Sequence, residues 1–171
     1  MKKFAVGPKL AAVAFAVLVA GCAKEAPPPP PAPAPVAAPA PAPAPSIVPG
    51  SAEDLRVNVG DTVHFEYNMY AVLDADKATL QRQAAWLAKY PNIKVTVEGH
   101  ADERGTREYN IALGAKRANA VKEYLVSLGV SAARVDTVSY GKEKPICSES
   151  TESCWAQNRR GVTIVASGAN S

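Results

Sequence analysis

The sequence predicts an α+β sandwich, one four-stranded mixed sheet with helices packed on one face, and three observations predict it. Two short stretches, Thr62 to Tyr67 and Ile93 to Glu98, alternate apolar and polar residues with a period of two, and Val135 to Tyr140 and Gly161 to Ala166 read as two further strands. Two longer stretches repeat apolar residues at spacings of three and four. Their order is strand, helix, strand, helix, strand, loop, strand, an order that an α/β layering also accommodates.

From Thr62 to Tyr67 the alternation places Val63, Phe65 and Tyr67 on one face of a half-buried strand. Asp74 to Tyr90 contains neither glycine nor proline, and Leu80, Ala84 and Leu87 recur at helical spacing. Asp74 or Asp76 is available at its N-terminus, and Pro91-Asn92 stops it. Ile93, Val95 and Val97 then alternate with Lys94, Thr96 and Glu98 in a second strand. A longer helix, near Thr106 to Leu128, carries Ile111, Gly114, Ala118, Val121, Leu125 and Leu128, and Gly129 supplies its stop. Val135 to Tyr140 and Gly161 to Ala166 complete the set as strands.

Ahead of this domain, expected over residues 55–171, lie two segments of different chemistry. Residues 1–21 read as a signal peptide: Lys2, Lys3 and Lys9 precede an apolar run from Leu10 to Ala20. That run is shorter than the roughly 20 residues a membrane-spanning helix needs. Its end, Leu18-Val19-Ala20-Gly21-Cys22, matches a bacterial lipobox, so Cys22 is the expected lipidated N-terminus. Three acyl chains anchor durably where one is marginal. Ala23 stands where an aspartate would resemble an inner-membrane retention signal, which favours the outer membrane. Residues 22–54 form the linker, with 11 of the 15 prolines between Pro27 and Pro45. In polyproline II geometry, at about 3.1 Å per residue, its Pro/Ala stretch from Ala26 to Pro45 reaches roughly 60 Å.

The 171 residues hold 19 basic and 16 acidic side chains, but three of the basics precede Cys22. The remainder sums to zero, and no Arg/Lys run interleaves with aromatics, so nucleic acid is not the expected partner. About 120 residues suffice for one core and are too few for two. Cys147 and Cys154 remain as an even pair in an oxidising compartment, and the disulfide expected between them contributes about 2 to 3 kcal/mol. Neither His64 nor His100 has a cysteine or histidine at ligand spacing, so no metal site is expected.

The most distinctive stretch runs from Gly99 to Asn110, through His100, Ala101, Asp102, Glu103, Arg104, Gly105 and Thr106, from a strand end through a loop into a helix. Such a loop is where an α/β arrangement places ligands. Asn110 and Arg117, seven residues apart, share a helix face with Leu113. Carboxylate, guanidinium, amide and free helix N-terminal amides together suit a small zwitterion. Nucleophile elbow, HExxH and phosphate loop are all missing, so neither catalysis nor a cofactor is expected. Other roles stay open: Asp102 as a helix cap, Arg117 as a surface arginine, His100 as an interior histidine, or His100 and Asp102 as an acid–base pair.

The segments Val95 to Thr106, Glu108-Tyr109-Asn110, Arg117 to Val121, Tyr124-Leu125 and Val138 to Pro145 resemble the peptidoglycan-associated lipoproteins of the OmpA-like C-terminal domain family. The resemblance covers most of residues 60–165, and the lipobox and spacer extend it. It implies an OmpA-like sandwich that binds the peptidoglycan stem peptide noncovalently through diaminopimelate, tethering the outer membrane to the wall within a Tol-Pal system. Asp102 then receives the ammonium and Arg117 grips the carboxylate. Arg104, Thr106, Asn110, Leu113, Tyr67 and Asn68 match positions that line the same pocket. A periplasmic TolB-like propeller protein is the implied protein partner, at an overlapping surface. Asn68 replaces an aspartate of many relatives, Gly114 replaces a frequent serine, and the Cys147–Cys154 loop is not shared by all.

Overall fold

The computed structural model describes residues 47–170, so the signal peptide, Cys22 and the Ala/Pro spacer lie outside the described residues. Four helices and four strands follow in the order α1 (Ala52–Asp54, continued by a π-helical turn, Leu55–Val59), β1 (Thr62–His64), α2 (Asp74–Lys89), β2 (Lys94–His100), α3 (Arg107–Ser127), β3 (Val135–Gly141), α4 (Glu152–Asn158) and β4 (Arg160–Ser167). The strands form one mixed sheet ordered β1-β4-β2-β3. β4 runs antiparallel to both β1 and β2, whereas β2 and β3 are parallel and joined across α3. Among the described residues no helix is long and apolar enough to cross a membrane.

Period-two alternation decides which face of the sheet is dry. Val95 and Val97 on β2, Val135 on β3 and Val63 on β1 are fully buried beneath α2 and α3, together with Leu80, Leu87, Val121 and Leu125 from the helices. Gln83 is buried among them because both ends of its amide are satisfied: it donates to Gly60 O at 2.8 Å and accepts from Thr163 Oγ1 at 2.9 Å. α3 ends as Gly129 predicts. Gly129 adopts φ +96°, and the N–H groups of Gly129 and Val130 close a Schellman motif on Val126 O and Leu125 O.

Four expectations need correction. The packed chain begins before Leu55: Ser51 caps α1, and buried Asp54 accepts from Trp86 Nε1 at 2.8 Å and from Gly50 N–H at 2.7 Å. Asp74 and Asp76 do not cap α2; Asp76 instead accepts the His64 N–H at 2.8 Å. The stretch read as a loop before β4 contains α4.

The fourth correction concerns Tyr67. The first strand pairs only as far as His64, and Tyr67, expected beside buried Val63 and Phe65, is 57% exposed. The cause is Arg117, whose guanidinium donates hydrogen bonds to the carbonyls of Glu66 (3.1 Å) and Met69 (2.8 Å). Those carbonyls face a helix side chain instead of a neighbouring strand, so the chain turns, with Met69 N–H on Glu66 O and Asn68 at φ +58°.

Candidate functional site

The site forms where β2 ends. α3 lies close on the sheet because Gly99 and Gly114 meet without side chains; a Cβ on Gly99 would stand 1.8 Å from Gly114 O. The chain leaves His100, turns through residues 101–106, and enters α3 under the cap of Thr106, whose hydroxyl accepts the Tyr109 N–H at 3.2 Å. Asn110 Nδ2 donates to Arg104 O at 2.9 Å, and Lys142 Nζ donates to the carbonyls of Glu103 and Gly105, which pins the loop from both sides.

Of the sequence-predicted residues, Asp102, Arg117, Asn110, Arg104, Leu113, Tyr67 and Asn68 line one cavity, and Gly105 and Tyr109 complete its wall. Thr106 is not in the wall, because its hydroxyl is engaged as the helix cap. Asp102 therefore does not cap α3. Its carboxylate accepts from Arg104 three times, at 3.1 Å from N–H, 3.2 Å from Nε and 2.6 Å from Nη2. Burial alone would raise the Asp102 pKa, but the Arg104 hydrogen bonds and charge outweigh it and hold the carboxyl below its ordinary range.

Arg117 is not a surface arginine: its side chain is buried and borders the cavity from within the protein. Three of its five N–H groups serve the carbonyls of Glu66, Met69 and His100. Burial lowers its pKa to about 10, which leaves it charged at neutral pH. The cavity thus pairs a carboxylate in its wall with a guanidinium whose acceptors, among the described residues, are all backbone carbonyls. Asn68 accepts a hydrogen bond from the Tyr109 hydroxyl. Its left-handed backbone suits asparagine, whose short amide tolerates that region.

The support behind Arg104 and Asp102 was invisible in the local sequence. α4 brings Trp155 against the far side of Arg104, so that the guanidinium is stacked between Tyr67 and Trp155, 4.0 Å from each ring centroid. Arg159 reaches Asp102 Oδ2 at 3.5 Å while holding Glu152 at 2.7 Å and Phe65 O at 3.0 Å. The disulfide between Cys147 and Cys154, with Cα atoms 5.3 Å apart, ties the preceding loop to α4, which carries Trp155. The available signal was the even cysteine pair ahead of Trp155; nothing in spacing connects Arg159 with Asp102.

His100 takes no part in the cavity, so an acid–base pair with Asp102 is not assembled. Its ring packs against Tyr140 on the sheet face away from the helices, and both ring nitrogens lack a hydrogen-bond partner among the described residues. Glu98 Oε2, at 3.5 Å, is too distant for a good bond. Burial, aided by the charges of Arg160 and Lys144, pushes the His100 pKa from 6.5 down to about 4. Between these values the unfolded chain takes up a proton that the folded chain refuses. His100 therefore leaves stability intact above pH 6.5 and withdraws about 2 to 3 kcal/mol as the pH falls to 4. Urea unfolding at pH 7 and pH 4.5 checks this: the drop should be distinctly smaller in His100→Phe, and an equal drop would refute the assignment.

No cluster of three metal-ligating side chains occurs among the described residues. The arrangement offers fixed charges and hydrogen bonds rather than a nucleophile. Residues 64–159 match the OmpA family model. The chain is 48% identical over 165 residues to the peptidoglycan-associated lipoprotein of Agrobacterium fabrum, covering 96% of this chain and 91% of that protein. The crystal structure of the peptidoglycan-associated lipoprotein from Burkholderia pseudomallei superposes with a TM-score of 0.60 at 45% identity, covering 61% of this chain and 89% of that one. The cell wall anchor of the type VI secretion system from Pseudomonas aeruginosa shares the fold at TM-score 0.53 and 28% identity, over 62% of this chain and 80% of that one. The chain belongs to the OmpA family and, within it, to the peptidoglycan-associated lipoproteins.

Proposed function

We propose that this protein is an outer-membrane lipoprotein, acylated at Cys22, whose domain holds peptidoglycan without covalent chemistry and so tethers the membrane to the wall. The stem peptide is held by its diaminopimelate, ammonium toward Asp102 and carboxylate toward Arg117, within a Tol-Pal system serving envelope integrity and cell division. The observation that carries this reading is the separation of charge in one cavity: it is lined both by a carboxylate and by a buried guanidinium that has no carboxylate of its own. A zwitterion matches that pattern, and the names of the relatives supply the polymer that contains it. An incoming ammonium shares Asp102 with Arg104 or displaces its Nη2, since that carboxylate is already engaged. Binding, not hydrolysis, is the activity in this reading: no serine, cysteine or histidine lines the cavity, and its one carboxyl, Asp102, is held ionised by Arg104.

Cosedimentation of the full mature chain, in detergent, with purified sacculi tests the proposal. Wild-type protein should pellet and be released by free diaminopimelate. Asp102→Asn should bind about tenfold more weakly, the effect of losing a charged hydrogen bond. It should still fold, because Arg159 keeps Phe65 O and Glu152, and Arg104 keeps its aromatic clamp. A folded wild-type chain that stays in the supernatant would refute wall binding.

A second reading, compatible with the first, adds a TolB-like propeller protein. Tyr67, Met69, Tyr70 and Tyr109 are exposed around the cavity, a rim of the composition that protein interfaces favour. Soluble stem peptide should then compete with that partner.

A further inference from the structure

The cavity around Asp102 is not closed on all sides. Toward α4 it is blocked by Arg104, clasped between Tyr67 and Trp155 with Glu152 3.5 Å from Nη1. In the opposite direction it continues. A second cleft shares Asn68, Tyr109 and Leu113 with the cavity and adds Tyr70 and Lys116; a third shares Tyr70 and Lys116 and runs on along α3. The three form one groove beside successive turns of that helix. Lys116 stands at its middle, exposed, with Nζ 5.4 Å from the Tyr70 ring centroid. Among the described residues its ammonium forms no salt bridge, unlike Lys77, which holds Asp74.

We propose that this groove takes the stretch of stem peptide next to the diaminopimelate, and that Lys116 binds the free α-carboxylate of the neighbouring glutamate. The inference rests on the diaminopimelate reading of the cavity. The chemistry is complementary: the glutamate is joined through its γ-carboxyl, which leaves an anion one residue from the zwitterion. Lys116 lies three residues beyond Leu113, about 4.5 Å along the helix axis, and its flexible stem spans the remainder. Lys116 is thereby a specificity residue that separates stem peptides with a free glutamate carboxylate from those in which it is amidated.

Calorimetric titration of the full mature chain in detergent, wild type and Lys116→Gln, tests this with three probes. They are free diaminopimelate, a muramyl tripeptide ending in diaminopimelate, and the same tripeptide with its glutamate α-amidated. Wild type should bind the carboxylate tripeptide about three- to fivefold more tightly than the amide, the scale of an exposed ion pair. Lys116→Gln should erase that ratio while its affinity for free diaminopimelate stays at the wild-type value, because Lys116 does not line the first cavity. Equal affinities in wild type, or a ratio retained in the variant, would overturn the proposal and leave the groove to a protein partner. Failure of wild type to bind free diaminopimelate would overturn the underlying reading, and this inference with it.

Discussion

Arg117→Ala should lower the unfolding free energy by about 4 kcal/mol and abolish wall binding. Three charge-assisted hydrogen bonds end on backbone carbonyls, the one to His100 O buried and those to Glu66 O and Met69 O part-buried, and each such bond contributes about 1.5 to 3 kcal/mol before non-additivity is allowed for. Truncation also leaves the turn over residues 66–69 without the group that draws its carbonyls inward. Tyr67 and Asn68 then lose their placement on the cavity wall. Arg117→Lys separates the two roles. Lysine keeps the charge but cannot present three N–H groups in a planar fork, so stability should fall by about half as much and affinity by about tenfold. Denaturant unfolding gives the first quantity and sacculus pelleting the second. An Arg117→Ala chain of undiminished stability would show that the carbonyls find other donors.

The helices and strands that fill the core were legible because their signals are local. Val95 and Val97 alternate with Thr96 and Glu98 over one short stretch, and Ala118, Val121 and Leu125 repeat within one helix. Half of the site was legible for the same reason, since Asp102, Asn110, Leu113 and Arg117 sit on one loop and the helix it enters. What stayed hidden depends on partners far away in sequence. Tyr67 leaves the sheet because Arg117, some 50 residues later, captures Glu66 O and Met69 O. Trp155 and Arg159 reach Arg104 and Asp102 over a similar separation, from within and just past the end of a seven-residue helix too short and too polar to announce itself by periodicity. Asp76 had the right residue type for a cap and served a strand N–H instead. Residue type and spacing say what a side chain can do; only the tertiary arrangement selects among those options.

Gly99→Ala is the substitution that joins fold to function most directly. An alanine Cβ there would lie 1.8 Å from Gly114 O and 2.6 Å from Gly114 C, and both are backbone atoms of α3 that no rotamer change can move. The helix must shift away from the sheet, at a cost of about 3 kcal/mol or more. Because α3 also carries Asn110, Leu113 and Arg117, that shift widens the cavity as well as loosening the core, so wall binding should be lost even under conditions where the variant stays folded. Gly114→Ser presses on the same contact from the other side, where a Cβ would meet Ser139 Oγ at 2.3 Å and Gly99 O at 2.7 Å. Its cost should be smaller, since the nearer atom belongs to a side chain that can rotate. Gly129→Ala is the control: its Cβ would meet nothing within 4 Å, and only the positive φ opposes it, at about 1 kcal/mol. Melting curves of the three variants should therefore rank Gly99→Ala, Gly114→Ser and Gly129→Ala from most to least destabilised. If Gly99→Ala melts no lower than Gly129→Ala, the close approach of α3 to β2 is not what sets the geometry of the site.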